Sequence, residues 1–157
     1  LLHSIVSSKA WVDRMDAESL KAAGWTCGQA KGFTGHLGPL WVRATDKARA
    51  VGMIVEDYHC NNNLGTIHGG AVMTLADIGL GYGVAAVLDG FGCVTVSLQT
   101  QFVAVAHIGD FVVCQSEIIR RSKHLVFVRG LITAGDMTVA SAEGIWKVLV
   151  PRSGKLQ

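Results

Sequence analysis

The stretch Asn62-Asn63-Leu64-Gly65-Thr66-Ile67-His68-Gly69-Gly70-Ala71-Val72-Met73-Thr74-Leu75-Ala76-Asp77 joins a polar loop, a His-Gly-Gly and the opening of a long apolar run. The run continues to Leu88 with Asp77 as its only charge and five glycines from Gly69 onward. Its spacing predicts a helix from about Gly70 to Leu88, closed by Asp89-Gly90. Apolar positions lie almost all round, so burial on more than one side is expected. One stripe, Ala71, Leu75, Ile78, Tyr82 and Ala85, is expected to pack on a sheet. A second, Gly70, Met73, Thr74, Asp77 and Gly81, is mostly small and carries the carboxylate. A partner subunit is its simplest cover. A membrane span is disfavoured: a mid-span Asp costs roughly 2.5–3.5 kcal/mol on insertion scales, and no basic residues flank the segment.

Beyond that helix the period changes from 3.6 to 2. In Val94–Phe102, the residues Val94, Val96, Leu98 and Phe102 are expected on one face, and Thr95, Ser97, Gln99 and Gln101 on the other. Three more strand-like runs follow, Asp110–Arg120, His124–Thr133 and Met137–Val150, the last two joined by the hairpin turn Ala134-Gly135-Asp136. Upstream, Leu40–Ala44 and Ala48–Glu56 read as strands around Thr45-Asp46-Lys47, and residues 11–23 have a helical rhythm that stops at Gly24. Residues 25–38, with four glycines, read as loop. Successive strands with short turns imply a largely antiparallel sheet, and the class is α+β: a long central helix wrapped by a curved sheet, after an N-terminal helical segment. The expected organisation is an extension over residues 1–35 and one domain over 36–157.

The 157 residues suit a single domain; half are hydrophobic and 17% are charged, which excludes a disordered tail or coiled coil. A net charge of +2 without a long basic run argues against nucleic acid. Cys27, Cys60, Cys93 and Cys114 are scattered without a C-x-x-C, which argues for a reduced, cytoplasmic setting and against a metal site. Leu1-Leu2-His3-Ser4-Ile5-Val6 is too short an apolar run for a secretory signal.

The chemistry lies in the opening stretch. The first N–H groups of a helix have no internal partner and sit at the positive end of its dipole. Glycines there let a ligand oxygen approach the backbone, so the helix start can stabilise an oxyanion. Asp77, two turns on in an apolar run, is a group whose pKa desolvation would raise, making it a base or nucleophile. Gly69 and Asp77 are eight residues apart, about 12 Å along a helix. They cannot both touch one carbonyl within one chain. Either they are not part of one site, or the site is completed by Asp77 from a symmetry-related subunit, with two helices antiparallel across a two-fold axis.

The pattern Asn-x-x-Gly-x-x-His-Gly-Gly followed by Leu-x-Asp, met by Asn62, Gly65, His68, Gly69, Gly70, Leu75 and Asp77, resembles the hotdog-fold acyl-CoA thioesterases. The nearest branch is that of the phenylacetate-degradation thioesterase and thioesterase superfamily member 2. The resemblance covers about residues 36–150, including Val94-Thr95-Val96 and Phe102-Val103-Ala104 through Gly109-Asp110. It implies dimers paired into a tetramer and hydrolysis of CoA thioesters, with CoA as part of the substrate and no separate cofactor. It assigns Asp77 as general base or nucleophile, the Gly69 N–H as donor to the carbonyl, Asn62 as orienter of the water, and Thr95 as helper of water or carboxylate. His68 stands beside the site, toward the loop or the thioester sulfur. One departure is the absence of the family's proline near Val105.

Blander readings exist for each residue. An Asp in an apolar helix can be structural, a loop His is commonly just satisfied by its neighbours, Asn suits turns, and Thr95 sits on what reads as a polar strand face. The Gly79-x-Gly81-x-Gly83 run is better explained by close helix packing than by a nucleotide loop, since no strand precedes it. Arg120, Arg121 and Lys123 are either a solvated turn or contacts to the CoA phosphates, with His107 a weaker candidate. The rival functions are a hotdog enoyl-CoA hydratase or dehydratase, whose His-Phe-x-x-x-Pro and Asp-x-Asn-Pro-x-His patterns are absent, and a non-catalytic acyl-CoA-binding protein.

Overall fold

The computed structural model describes residues 16–44, 49–88 and 92–149. The order is α1 (Ala17–Ala22), β1 (Thr26–Gly28), α2 (Gly32–Gly35), β2 (Leu40–Ala44), β3 (Arg49–Ile54), a 3₁₀ turn (Asp57–His59), α3 (Gly69–Val87), β4 (Cys93–Phe102), β5 (Phe111–Arg121), β6 (Leu125–Ala134) and β7 (Met137–Val148). The seven strands form one antiparallel sheet in the order β1-β2-β3-β5-β6-β7-β4, so β1 and β4 are its edges. The expected long helix and the strands around it are all present. The turn at Thr45-Asp46-Lys47 and the helix stop at Asp89-Gly90 lie outside the described residues, as do Trp11 and Met15 of the N-terminal helix.

The described part of that N-terminal helix is α1. Asp16 caps it, its carboxylate accepting from the Ser19 N–H at 2.8 Å, and Gly24 leaves it with φ +83°. The stretch expected as loop instead holds β1, which pairs with β2, and the single turn α2. Three residues are too few to show a period. Leu20 and Trp25 pack there with Trp41 and Ala50 in a small second core, where Trp25 meets Phe111 edge-on.

α3 is long and apolar enough to cross a membrane by length and composition, yet one face lies on the sheet. The face it buries differs from the expected stripe. Val72, Leu75, Ala76, Gly79, Leu80, Gly83, Val84 and Ala85 are buried, whereas Ala71, Ile78 and Tyr82 are half-buried flanks. The reason is the glycines. A Cβ on Gly79 would stand 2.6 Å from the Cβ and Sγ of Cys114, and one on Gly83 would stand 2.2 Å from Ser116 Oγ, both on β5. The missing side chains let helix and sheet backbones close up, which offsets a penalty of about 1 kcal/mol per helical glycine. Close packing is thus what Gly79 and Gly83 serve. The opposite stripe stays open: Gly70 and Met73 are exposed, and Thr74, Asp77 and Gly81 are half-buried.

The face assignment on β4 also needs correcting. Thr95 pairs with Trp146 and Ser97 with Ile145, so Val96 is an extra residue, a β-bulge. A bulge shifts the two-residue alternation by one. Thr95 therefore shares the helix-facing side with Cys93 before the bulge and with Leu98 and Phe102 after it. Val94 and Val96, expected inside, are 46% and 58% exposed along the sheet edge.

Candidate active site

The loop before α3 is tied at both ends. Cys60 and Ile67 form a bridge, Thr66 bridges to His107, and the Ile67 N–H donates to Ala106 O at 2.9 Å. Asn61 closes the loop from inside: its Nδ2 donates to Ile67 O at 3.2 Å and its backbone N–H to Thr66 O at 2.8 Å. Asn63 and Gly65 take left-handed φ values of +61° and +60°, conformations that Asn and Gly tolerate best. Asn62 is left at the turn, exposed and without a hydrogen bond to any other described residue. Beneath the loop, buried His59 accepts from the Glu56 N–H at Nδ1 (2.9 Å) and donates from Nε2 to Leu37 O (2.8 Å).

His68 is the N-cap of α3. Its Nδ1 accepts from the Gly70 N–H at 2.8 Å, which puts the neutral ring's proton on Nε2 and turns that N–H outward. Its carbonyl accepts from Ala71 (2.9 Å) and Val72 (3.2 Å). The His68 N–H donates to His59 O at 2.8 Å, so of the four orphan donors at this helix start, those of His68, Gly70 and Ala71 are satisfied. The Gly69 N–H has no acceptor among the described residues. Only Gly70 is sterically required: a Cβ there would lie 2.9 Å from His68 Nδ1, while one on Gly69 would make an ordinary contact with the Phe102 ring, at 3.4 Å.

Two turns along, the Thr95 hydroxyl donates to Asp77 Oδ1 at 2.7 Å. The bulge at Val96 makes this contact possible by turning Thr95 inward. Cys93 flanks the carboxylate, and burial together with the Asp77 charge pushes its thiol pKa up. Asp77 is half-buried on the open stripe, not sealed inside. Gly69 and Asp77 lie on the same uninterrupted helix, so about 12 Å still separates them within one chain.

The basic cluster is not one patch. Arg121 pairs with buried Val126, and Arg120 with Phe127, so the two side chains project from opposite faces. The Arg121 guanidinium donates to Val87 O at the C-terminal end of α3, where a cation is favourable. Arg120, Lys123 and the His107 ring are exposed and make no side-chain hydrogen bond to described residues. Sequence reasoning missed half-buried Asn61 and buried His59, both built into the loop's support, and the place of Phe102. A His two residues before Gly70 was the available signal for the cap, but His is not among the usual N-cap residues.

An open helix start with a spare N–H among the described residues, and a carboxylate two turns along it, thus lie on a long helix wrapped by a seven-stranded antiparallel sheet, the hotdog fold. The chain belongs to the thioesterase superfamily, which it matches over residues 64–141. A Pseudomonas aeruginosa protein named as a candidate esterase, PA0474, is 34% identical over 112 residues, 70% of this chain and 83% of its own. Among solved structures, zebrafish thioesterase superfamily member 2 matches with a TM-score of 0.68 at 21% identity, over 83% of this chain and 94% of that one. The E. coli PaaI protein of the phenylacetic acid degradation operon matches at 0.65 and 21%, over 73% and 82%. The BH2602 protein of Bacillus halodurans, solved with CoA, matches at 0.63 and 27%, over 71% and 74%.

Proposed function

We propose that this protein hydrolyses acyl-CoA or aryl-CoA thioesters to the free acid and CoA, in a site shared between two copies of the chain. The observation that carries the reading is the pairing of a spare Gly69 N–H with a hydroxyl-held Asp77 on one uncovered helix stripe. In one chain they are too far apart to meet a single carbonyl. Two copies joined along the exposed edge strand β4, helices antiparallel, would bring the Gly69 of one to the Asp77 of the other, twice per dimer. A tetramer of such dimers is part of the same reading.

The thioester oxygen accepts from the Gly69 N–H, which opposes the charge that builds up as the carbonyl is attacked. Asp77, with Oδ1 held by Thr95, has Oδ2 free to take a proton from water or to attack the carbonyl itself. Asn62 orients the water from the loop. The outward Nε2–H of His68 faces the leaving sulfur. On the water route the tetrahedral intermediate collapses to the acid and CoA thiolate, which takes the proton that Asp77 removed from water; on the direct route collapse leaves an acyl-Asp77 anhydride, which water then hydrolyses to the acid. CoA bound to the Bacillus relative supports the carrier. Of the basic cluster, Arg120 and Lys123 are left to meet its phosphates, Arg121 being engaged at the end of α3. The test is thiol release from a panel of acyl- and aryl-CoA esters. Wild type should turn over at least one, Asp77→Asn should lose that activity while keeping fold and assembly, and Asn62→Ala should lose less. Undiminished turnover by Asp77→Asn, or binding of the esters without thiol release, contradicts the reading.

A further inference from the structure

We propose that Phe102 is the residue that selects the acyl group, favouring thioesters whose acyl part is apolar and larger than acetyl. This rests on the hydrolase reading above. Phe102 is the last residue of β4 on its helix-facing row. Cys93 and Leu98 of that row pack against the core, and Thr95 is spent on Asp77. Phe102 is instead 55% exposed, and its ring stands against the start of α3: a methyl on Gly69 would meet Cζ at 3.4 Å and Cε1 at 3.5 Å. The ring therefore lies about one methyl group away from Gly69, the residue whose N–H lacks an acceptor among the described residues.

A carbonyl oxygen on that N–H sits about 2.9 Å from the nitrogen, so the group bonded to the carbonyl carbon falls within reach of the ring. The pantetheine arm is rich in amides and would leave their hydrogen bonds unmade against an aromatic face. An apolar acyl group gains by removing the ring and itself from water. Met73, one turn on along the open stripe and 40% exposed, extends the apolar wall toward Asp77.

The test is kcat/KM by thiol release for acetyl-, hexanoyl- and benzoyl-CoA with wild type, Phe102→Leu and Phe102→Ala, each checked for oligomeric state by light scattering. Truncation to Ala is expected to lower the hexanoyl-to-acetyl and benzoyl-to-acetyl ratios about tenfold. Phe102→Leu keeps an apolar side chain should the truncation fail to fold, and is expected to lower the benzoyl-to-hexanoyl ratio about threefold. Unchanged ratios, with all esters falling in parallel or with loss of assembly, overturn the assignment and make Phe102 a subunit contact. A wild type that releases thiol from no ester overturns the hydrolase reading itself, and this inference with it.

Discussion

Replacing Gly69 with proline removes one hydrogen-bond donor and puts the ring Cδ where its hydrogen stood. Gly69 is the first residue of α3 after its cap, where proline is favoured because its missing N–H would have no partner inside the helix. The residue before a proline must be extended, and His68 already is, at φ −72° and ψ 138°. A Cβ at position 69 would lie 3.4 Å from the Phe102 ring, an ordinary contact. Fixing the backbone should even add about 0.4–1 kcal/mol of stability through the unfolded chain. If the Gly69 N–H is the oxyanion donor, its loss should cost about 2.7–4 kcal/mol of transition-state stabilisation, a fall in kcat of roughly 10²–10³. Gly69→Ala is the control for the added Cβ, since it keeps the N–H. Thermal melts and single-ester kinetics on both variants decide the matter. A folded Gly69→Pro with wild-type kcat, or equal losses in Pro and Ala, would refute the donor role.

Three further outcomes are expected. Thr95→Val removes the hydroxyl held on Asp77 Oδ1; a hydrogen bond to a charged group is worth about 1.5–3 kcal/mol, so kcat should fall roughly 10- to 100-fold in a protein that still melts cooperatively, and an unaltered kcat would remove Thr95 from the site. Gly83→Ala places a carbon 2.2 Å from Ser116 Oγ; overpacking of about 1–3 kcal/mol should exceed the helix-propensity gain of about 1 kcal/mol and lower Tm, and a raised Tm in calorimetry contradicts the close approach of α3 to β5. Burial pushes the Cys114 thiol up to about 12, so iodoacetamide at pH 8 should label exposed Cys27 and spare Cys114 until denaturant is added, as peptide mass mapping will show.

The long helix and the four strands after it were legible because their periods run for ten residues or more. What defeated the reading was local. A single bulge at Val96 reversed the faces of β4, taking Val94 and Val96 out and bringing Thr95 in. The packing stripe of α3 is centred on Gly79 and Gly83, which a hydrophobicity count ignores because their contribution is the absence of a side chain. β1 hid in a glycine-rich stretch since three residues show no alternation. In the site, the place of Asp77 on an open stripe was readable from its small neighbours, and the separation of Gly69 from Asp77 followed from helix rise alone. The Thr95 contact depends on register 18 residues away, and the division of Arg120 from Arg121 on strand alternation that their adjacency in sequence conceals.

The shared site is tested most directly by mixing two inactive variants. Asp77→Asn lacks the acid and Gly69→Pro lacks the donor, so neither alone should turn over. If each site takes Gly69 from one subunit and Asp77 from its partner, every hybrid dimer has one intact site. Unfolding and refolding an equal mixture should then restore about one quarter of wild-type sites. Recovery near that fraction is the predicted result; a refolded, dimeric mixture that stays as inactive as its parents would contradict the shared site.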